Sequence, residues 1–258
     1  MYKRQHPDIS CRHEDFHVRV AKEKRPEDSA RLAVRWRDGE VYWRRLQQFN
    51  GKLVEDPNSR QVIAHFYDIF SFPSLACGFK LKYPLQLDLY PEVVSELKLV
   101  SSTLRIIVLS RRNLVKQAVS SQNLHRKLTR VDDAANLPPN QVTGNETFEP
   151  IKIDLPRAIR YTKLLNAEYE MFQAKARELV SENTSRILHI DYEDLLYEQA
   201  DTLMRVFTFL DVADHYKVTS NMRKIIPDDL SKAVLNFDEL QDAFRGTEFM
   251  EMLNETRD

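Results

Sequence analysis

The sequence predicts an α/β fold in which a central parallel sheet carries helices on both faces. Three observations predict it. Strand-like runs (Leu75 to Tyr83, Arg105 to Ser110, Arg186 to Ile190) alternate with helix-like ones, the pattern of β-α-β units. Behind Arg105, the run Ile-Ile-Val-Leu is continuously apolar, as a strand buried on both faces reads. The chain has 258 residues and is 42% hydrophobic, which supports a real core in one large α/β domain or two small ones.

In chain order, Met1-Tyr2-Lys3-Arg4-Gln5 reads as a transposon-end adaptor from a sequencing library, translated from a GTG start. It is set aside as a scar, which leaves 6–258 as one domain. Residues 6–16 are polar and turn-like. Residues 17–57 are charge-rich, with Leu32, Val34, Trp36, Val41, Trp43, Leu46 and Phe49 scattered among them, and are expected to form surface helices or an insert. Val62 to Phe70 predicts an amphipathic helix that Phe72-Pro73 ends. Leu75 to Tyr83 is a strand, Pro91 to Val100 a helix, Arg105 to Ser110 a strand and Leu114 to Lys127 a helix. Residues 129–150, with Pro138-Pro139 and Thr143-Gly144-Asn145, are the best loop candidate.

Pro156 suits the first turn of a long helix. Its Ile159, Leu165, Tyr169, Phe172, Ala176 and Leu179 recur at helical spacing, so that stripe belongs to a core. Arg186 to Ile190 is a third strand and runs straight into Asp191-Tyr-Glu-Asp-Leu195. The next helix carries Leu203, Val206, Phe207 and Leu210. From about Ser220 the chain reads as surface helix and loop.

The 38 basic and 39 acidic residues leave a net charge of −1, which argues against general nucleic-acid binding or a polybasic membrane patch. Any basic site must therefore be local. Cys11 and Cys77 make neither a disulfide framework nor a zinc site, and suit a reducing, cytoplasmic setting. No apolar window approaches the length that spans a bilayer. His65 and His125 lack metal-ligand spacing, so no metal is expected. Oligomeric state has no signal in the sequence.

The segment Arg105 to Ser121 carries the most chemistry. Its strand ends in Arg111-Arg112-Asn113, and a helix bearing Ser120 follows. An arginine at the carboxyl end of a strand and a serine two helical turns later aim at one point above the sheet. A guanidinium fork with a hydroxyl suits a phosphate monoester. The same two residues also suit plain solvation of a strand-helix junction, and both readings stay open on the residues alone.

Arg112-Asn-Leu-Val-Lys-Gln-Ala-Val-Ser120 resembles the 3′-phosphate-binding element of sulfotransferases that use 3′-phosphoadenosine 5′-phosphosulfate (PAPS), in which a serine follows the arginine by eight positions. His189-Ile-Asp-Tyr-Glu-Asp-Leu195 with Phe209-Leu210-Asp211-Val212 resembles the family's strand, YEDL, helix, FLGV segment. Gly78-Phe79-Lys80-Leu81 resembles its lysine-bearing strand. Asn236-Phe-Asp-Glu-Leu240 and Gly246-Thr-Glu-Phe249 resemble the C-terminal signature of the bacterial carbohydrate branch, which includes nodulation-factor sulfotransferases. The ordered set, over residues 6–20 and 75–253, carries the resemblance.

That resemblance implies a three-layer, P-loop NTPase-like sulfotransferase fold, PAPS as co-substrate and a carbohydrate or glycolipid hydroxyl as acceptor. It implies Arg112 and Ser120 as ligands of the 3′-phosphate. Arg111 is adjacent but, by strand alternation, turned to the other face. Tyr192 would flank the adenine, and Arg223 and Lys224 would close over the nucleotide. Lys80 would approach the leaving oxygens as a point charge. Glu14 and His13, where the family shows glycine then glutamate, are the candidate bases for the acceptor hydroxyl. Glu193 is expected to be a structural hydrogen-bond acceptor at its strand-helix junction.

One departure matters. The family opens with a strand and a loop of the form R-S-G-T that cradles the 5′-phosphosulfate on backbone N–H groups. No such loop stands in the 258 residues, and His6-Pro-Asp-Ile-Ser-Cys11 resembles the family segment after the first helix. The expectation is a fragment without its first strand and phosphosulfate loop, which as it stands does not hold the sulfonate end of the donor. Two alternatives remain: a nucleoside or nucleotide kinase, and a non-catalytic module that binds a nucleotide or partner. A Gly-Lys-Ser/Thr loop upstream would favour the kinase.

Overall fold

The computed structural model describes residues 9–12, 16–21, 42–49, 52–55, 59–70, 75–81, 87–88, 90–130, 149–212 and 227–255. The described residues form a mixed α/β structure that is mostly helical, and they divide into two compact units. One takes the described residues of Met1–Val108, Met171–Leu188 and Ala200–Tyr216. The other takes those of Leu109–Glu170, His189–Gln199 and Lys217–Asp258.

In the first unit, β1 (Ile9–Arg12) runs parallel to β5 (Ala76–Phe79), pairing Ile9 with Ala76 through to Arg12 with Phe79. β2 (Phe16–Ala21), β3 (Tyr42–Phe49) and β4 (Lys52–Glu55) form an antiparallel sheet in that order. Both arrangements correct the sequence reading. Residues 9–12 are a strand rather than a turn, because pairing along β5 supplies what their polar side chains do not signal. The described part of 17–57 is strand rather than surface helix. Phe16, Val18 and Val20 alternate with His17 and Arg19 at the period of a strand. Asn50-Gly51 stands between the paired residues Phe49 and Lys52, the composition of a two-residue hairpin.

The helices of this unit follow their patterns. α1 (Ser59–Phe70) turns Val62 and Phe66, four residues apart, into the core. α2 (Pro91–Leu99) opens on proline, where a missing N–H is harmless, and buries Val93 and Leu97 at the same spacing. These four pack with Leu87, Tyr90 and Leu179. Phe79 meets Phe66 edge to face at 6.3 Å.

β6 (Ile106–Ser110) pairs with β7 (Ile187–Asp191), α3 is Leu114–Arg130, and α4 is Leu155–Leu179. The apolar run of β6 is not buried on both faces as expected. Val108 is buried, while Ile107 is 38% and Leu109 58% exposed, so the strand alternates. After β7 come α5 (Tyr192–Tyr197) and α6 (Gln199–Leu210). Asp211 ends α6 with φ +58°, a left-handed backbone, at the position where the resembled family has glycine.

The second unit corrects the reading of the tail. The described residues after 226 are not surface elements. α7 (Leu230–Ala233), α8 (Phe237–Phe244) and the 3-10 turn Met250–Leu253 supply Leu230, Ala233, Leu240, Phe244 and Leu253 to its core, against Leu114, Val115, Val119, Ala158 and Leu165. Their spacing of three and four residues is amphipathic, and the elements are too short to show it over a long window. Asn236 pairs by its side chain with both backbone groups of Ile153, accepting from N–H at 2.8 Å and donating to C=O at 3.1 Å. Gly246, with φ +75°, closes α8 in the left-handed cap that glycine adopts freely. Both residues of the C-terminal motif thus have structural work. Among the described residues, no helix is long and apolar enough to cross a membrane.

Candidate functional site

The chemistry-bearing residues of the second unit gather where β6 turns into α3 and β7 turns into α5. Asn113 precedes the apolar start of α3 and caps it, its Oδ1 accepting from the Lys116 backbone N–H at 2.8 Å. Glu193, in the first turn of α5, is buried and accepts from the backbone N–H groups of Arg112 at 3.0 Å and Asn113 at 3.5 Å. A carboxylate therefore sits at the amino end of α3, where backbone donors and the helix dipole favour negative charge. The structural role expected for Glu193 is the one it has.

The two arginines diverge. Arg111 lies over the Tyr192 ring at 4.9 Å, with Nε 3.7 Å from Glu193 Oε1. That Nε is buried and has no hydrogen-bond partner. Arg112 turns elsewhere: Nη2 donates to Asp194 Oδ1 at 2.9 Å, and Nε lies 3.6 Å from Asp191 Oδ2. Asp191 also accepts from Ser110 Oγ at 2.5 Å. A small open pocket, about 330 Å3 including the solvent at its mouth, is lined by Arg111, Asn113, Lys116, Tyr192, Glu193 and Asp228, among others. So Arg111, not Arg112, lines the pocket. It stands after the end of β6, where strand alternation no longer sets direction.

A second layer comes from far along the chain. Asn113 Nδ2 donates to the Met252 carbonyl at 2.6 Å and to Glu255 Oε2 at 2.9 Å. The buried Lys116 donates to the Glu255 carbonyl at 2.5 Å and has Asp228 Oδ1 at 3.7 Å. Tyr197 donates to the other oxygen of Asp228 at 2.9 Å. Two basic side chains (Arg111, Lys116) thus meet three acidic ones (Glu193, Asp228, Glu255) around the pocket, which is internally neutralised rather than left cationic.

The structure brings Arg111, Arg112 and Tyr192 together. Ser120 lies half-buried within α3, and no hydrogen bond joins it to Arg112 among the described residues. Lys80 follows the end of β5 rather than standing within it, because the strand expected to reach Tyr83 stops at Phe79; its side chain is exposed. Glu14, His13, Arg223 and Lys224 lie outside the described residues. Asn113, Lys116, Asp228 and Glu255 were not anticipated. Asn113 had a signal, an asparagine directly before an apolar helical run. The others meet across more than a hundred residues and had none. Among the described residues, no group of three or more His, Cys, Asp or Glu is placed to hold a metal ion. No protein-family model, curated protein or solved structure matches the chain.

Proposed function

We propose that this chain is a PAPS-dependent sulfotransferase of the bacterial carbohydrate type, acting in the cytoplasm on a sugar hydroxyl of a glycan or glycolipid. One observation carries the reading. Arg112 and the Asp-Tyr-Glu-Asp run, the two parts of the resemblance that concern the nucleotide, meet at one corner through Asp191, Glu193 and Asp194. Their meeting across about 80 residues supports treating them as one site. The residues fit a 3′-phosphate in part. Arg112 is 39% exposed and its partners are carboxylates near the surface, so an anion can exchange with them, and Arg111 adds a buried donor without a partner.

In this reading Arg112 and Ser120 hold the 3′-phosphate, with Tyr192 and Lys224 on the nucleoside side. Lys80 offsets charge on the leaving oxygen, and Glu14 or His13 takes the acceptor proton. PAPS supplies the sulfuryl group, and 3′-phosphoadenosine 5′-phosphate leaves. The internally neutralised pocket favours one second reading, a non-catalytic module that binds the nucleotide alone. Calorimetric titration with 3′-phosphoadenosine 5′-phosphate tests the shared step. Arg112→Ala should lose about 2 kcal/mol or more of affinity, as a charge-assisted pair does. Unchanged affinity overturns both readings. Sulfuryl transfer to a sugar hydroxyl, with PAPS supplied, separates the enzyme from the module.

A further inference from the structure

Arg112 brings one positive charge to two carboxylates. Asp194 takes Nη2 at 2.9 Å, and Asp191 stands 3.6 Å from Nε. Both acids are fixed. Ser110 holds the other oxygen of Asp191 at 2.5 Å, and Asp194 belongs to the first turn of α5. The neighbouring Arg111 does not relieve the imbalance, because Glu193 balances it at 3.7 Å. An anion approaching Arg112 therefore meets a guanidinium whose charge is already overcompensated. It must displace Asp194 and then sit beside two carboxylates deprived of their partner. A singly charged group gains nothing by that exchange, since it offers Arg112 what Asp194 already offers and adds repulsion. A phosphate monoester carries about −1.5 to −2 charges at neutral pH and three strong acceptor oxygens, so it offers more.

We propose that Asp191 and Asp194 are specificity-determining residues, which hold Arg112 in a resting ion pair that a phosphate monoester displaces and a singly charged group does not. The inference rests on the reading of Arg112 as the phosphate ligand. The side chains of Arg112, Asp191 and Asp194 are 39%, 30% and 21% exposed, so the pair is reachable from solvent and its exchange is a small free-energy step. Selection here comes from an element that disfavours the wrong ligand as much as from contacts to the right one.

The test uses the whole chain with two probes, inorganic phosphate near pH 8 and methanesulfonate, read as the shift in thermal unfolding midpoint and as an apparent Kd. The wild-type chain responds to phosphate and not to methanesulfonate. Asp194→Asn keeps the side chain's shape, binds phosphate roughly three- to tenfold more tightly and gains a response to methanesulfonate. Asp191→Asn moves both the same way by less, and it decides the matter should the first variant fail to fold. Arg112→Ala responds to neither probe. Asn variants that bind phosphate no more tightly than wild type overturn the proposal, as does a chain that responds to phosphate in no form. Titration with 3′-phosphoadenosine 5′-phosphate separates the two claims. Should the nucleotide bind no better than inorganic phosphate while the Asn variants behave as stated, the selection stands and the sulfotransferase reading falls. Should nucleotide binding depend on Arg112 while neither Asn variant tightens it, the reading stands and the selection falls.

Discussion

In the first unit, Lys98 reaches Glu178 at 2.7 Å and Lys175 reaches Asp88 at 2.7 Å, all four side chains being between about a third and a half exposed. In the second unit, Arg111, Lys116 and Glu193 are largely buried, and their charges are tied to backbone groups as well as to each other. The first kind of pair adds little, because water solvates each partner nearly as well. The second kind cannot be dismantled one member at a time without leaving a desolvated group behind. Charge in this protein is decoration in one place and architecture in the other, and the architectural place is also the candidate site.

Glu193→Ala is the sharpest way to break that contrast. It strips the acceptor from two backbone N–H groups and leaves Arg111 facing its pocket without an anion. Urea unfolding should show a loss of about 3 kcal/mol. A loss under about 1 kcal/mol would put the corner on a par with the surface. Lys98→Met, at the exposed end of the contrast, should lower stability by about 0 to 1 kcal/mol in the same assay.

The smallest effects concern two acids on α4, with opposite signs. In the second unit, burial raises the Glu168 carboxyl above its ordinary value. In the first, the Lys98 hydrogen bond and charge hold Glu178 below it. A raised acid favours the folded state most when protonated, and that advantage is lost as pH rises through its folded value. A depressed acid stabilises above the ordinary carboxylate range, and its contribution is lost as pH falls through its folded value. Glu168→Gln should thus raise the unfolding midpoint near pH 7, and Glu178→Gln should lower it. Both differences should shrink towards acid pH. Midpoints that move in one direction for both variants would remove the contrast.

The candidate corner was legible because its signals are local. An apolar run ending in Arg111-Arg112-Asn113 before a helical pattern can be read within one window, and so can a strand that runs into Tyr192-Glu193-Asp194. Glu193 was readable as a junction acceptor for the same reason. Partnership across distance was not legible. Nothing near Lys116 marks Glu255 as its acceptor, and nothing near Arg112 marks Asp194 as its resting partner. The core role of the tail was missed because α7 and α8 are too short to show a period. The antiparallel strands were missed because charge between Phe16 and Glu55 hid an alternation that pairing makes plain.

The central claim is that Arg112 recognises a 3′-phosphate, and a coupling energy tests it most directly. Adenosine 5′-phosphate and 3′-phosphoadenosine 5′-phosphate are titrated against the wild-type chain and Arg112→Ala, so that the cycle isolates the interaction of one side chain with one phosphate. The account predicts a coupling of about 2 kcal/mol or more, with the preference for the 3′-phosphate gone in the variant. A 3′-phosphate preference that survives Arg112→Ala undiminished would contradict it.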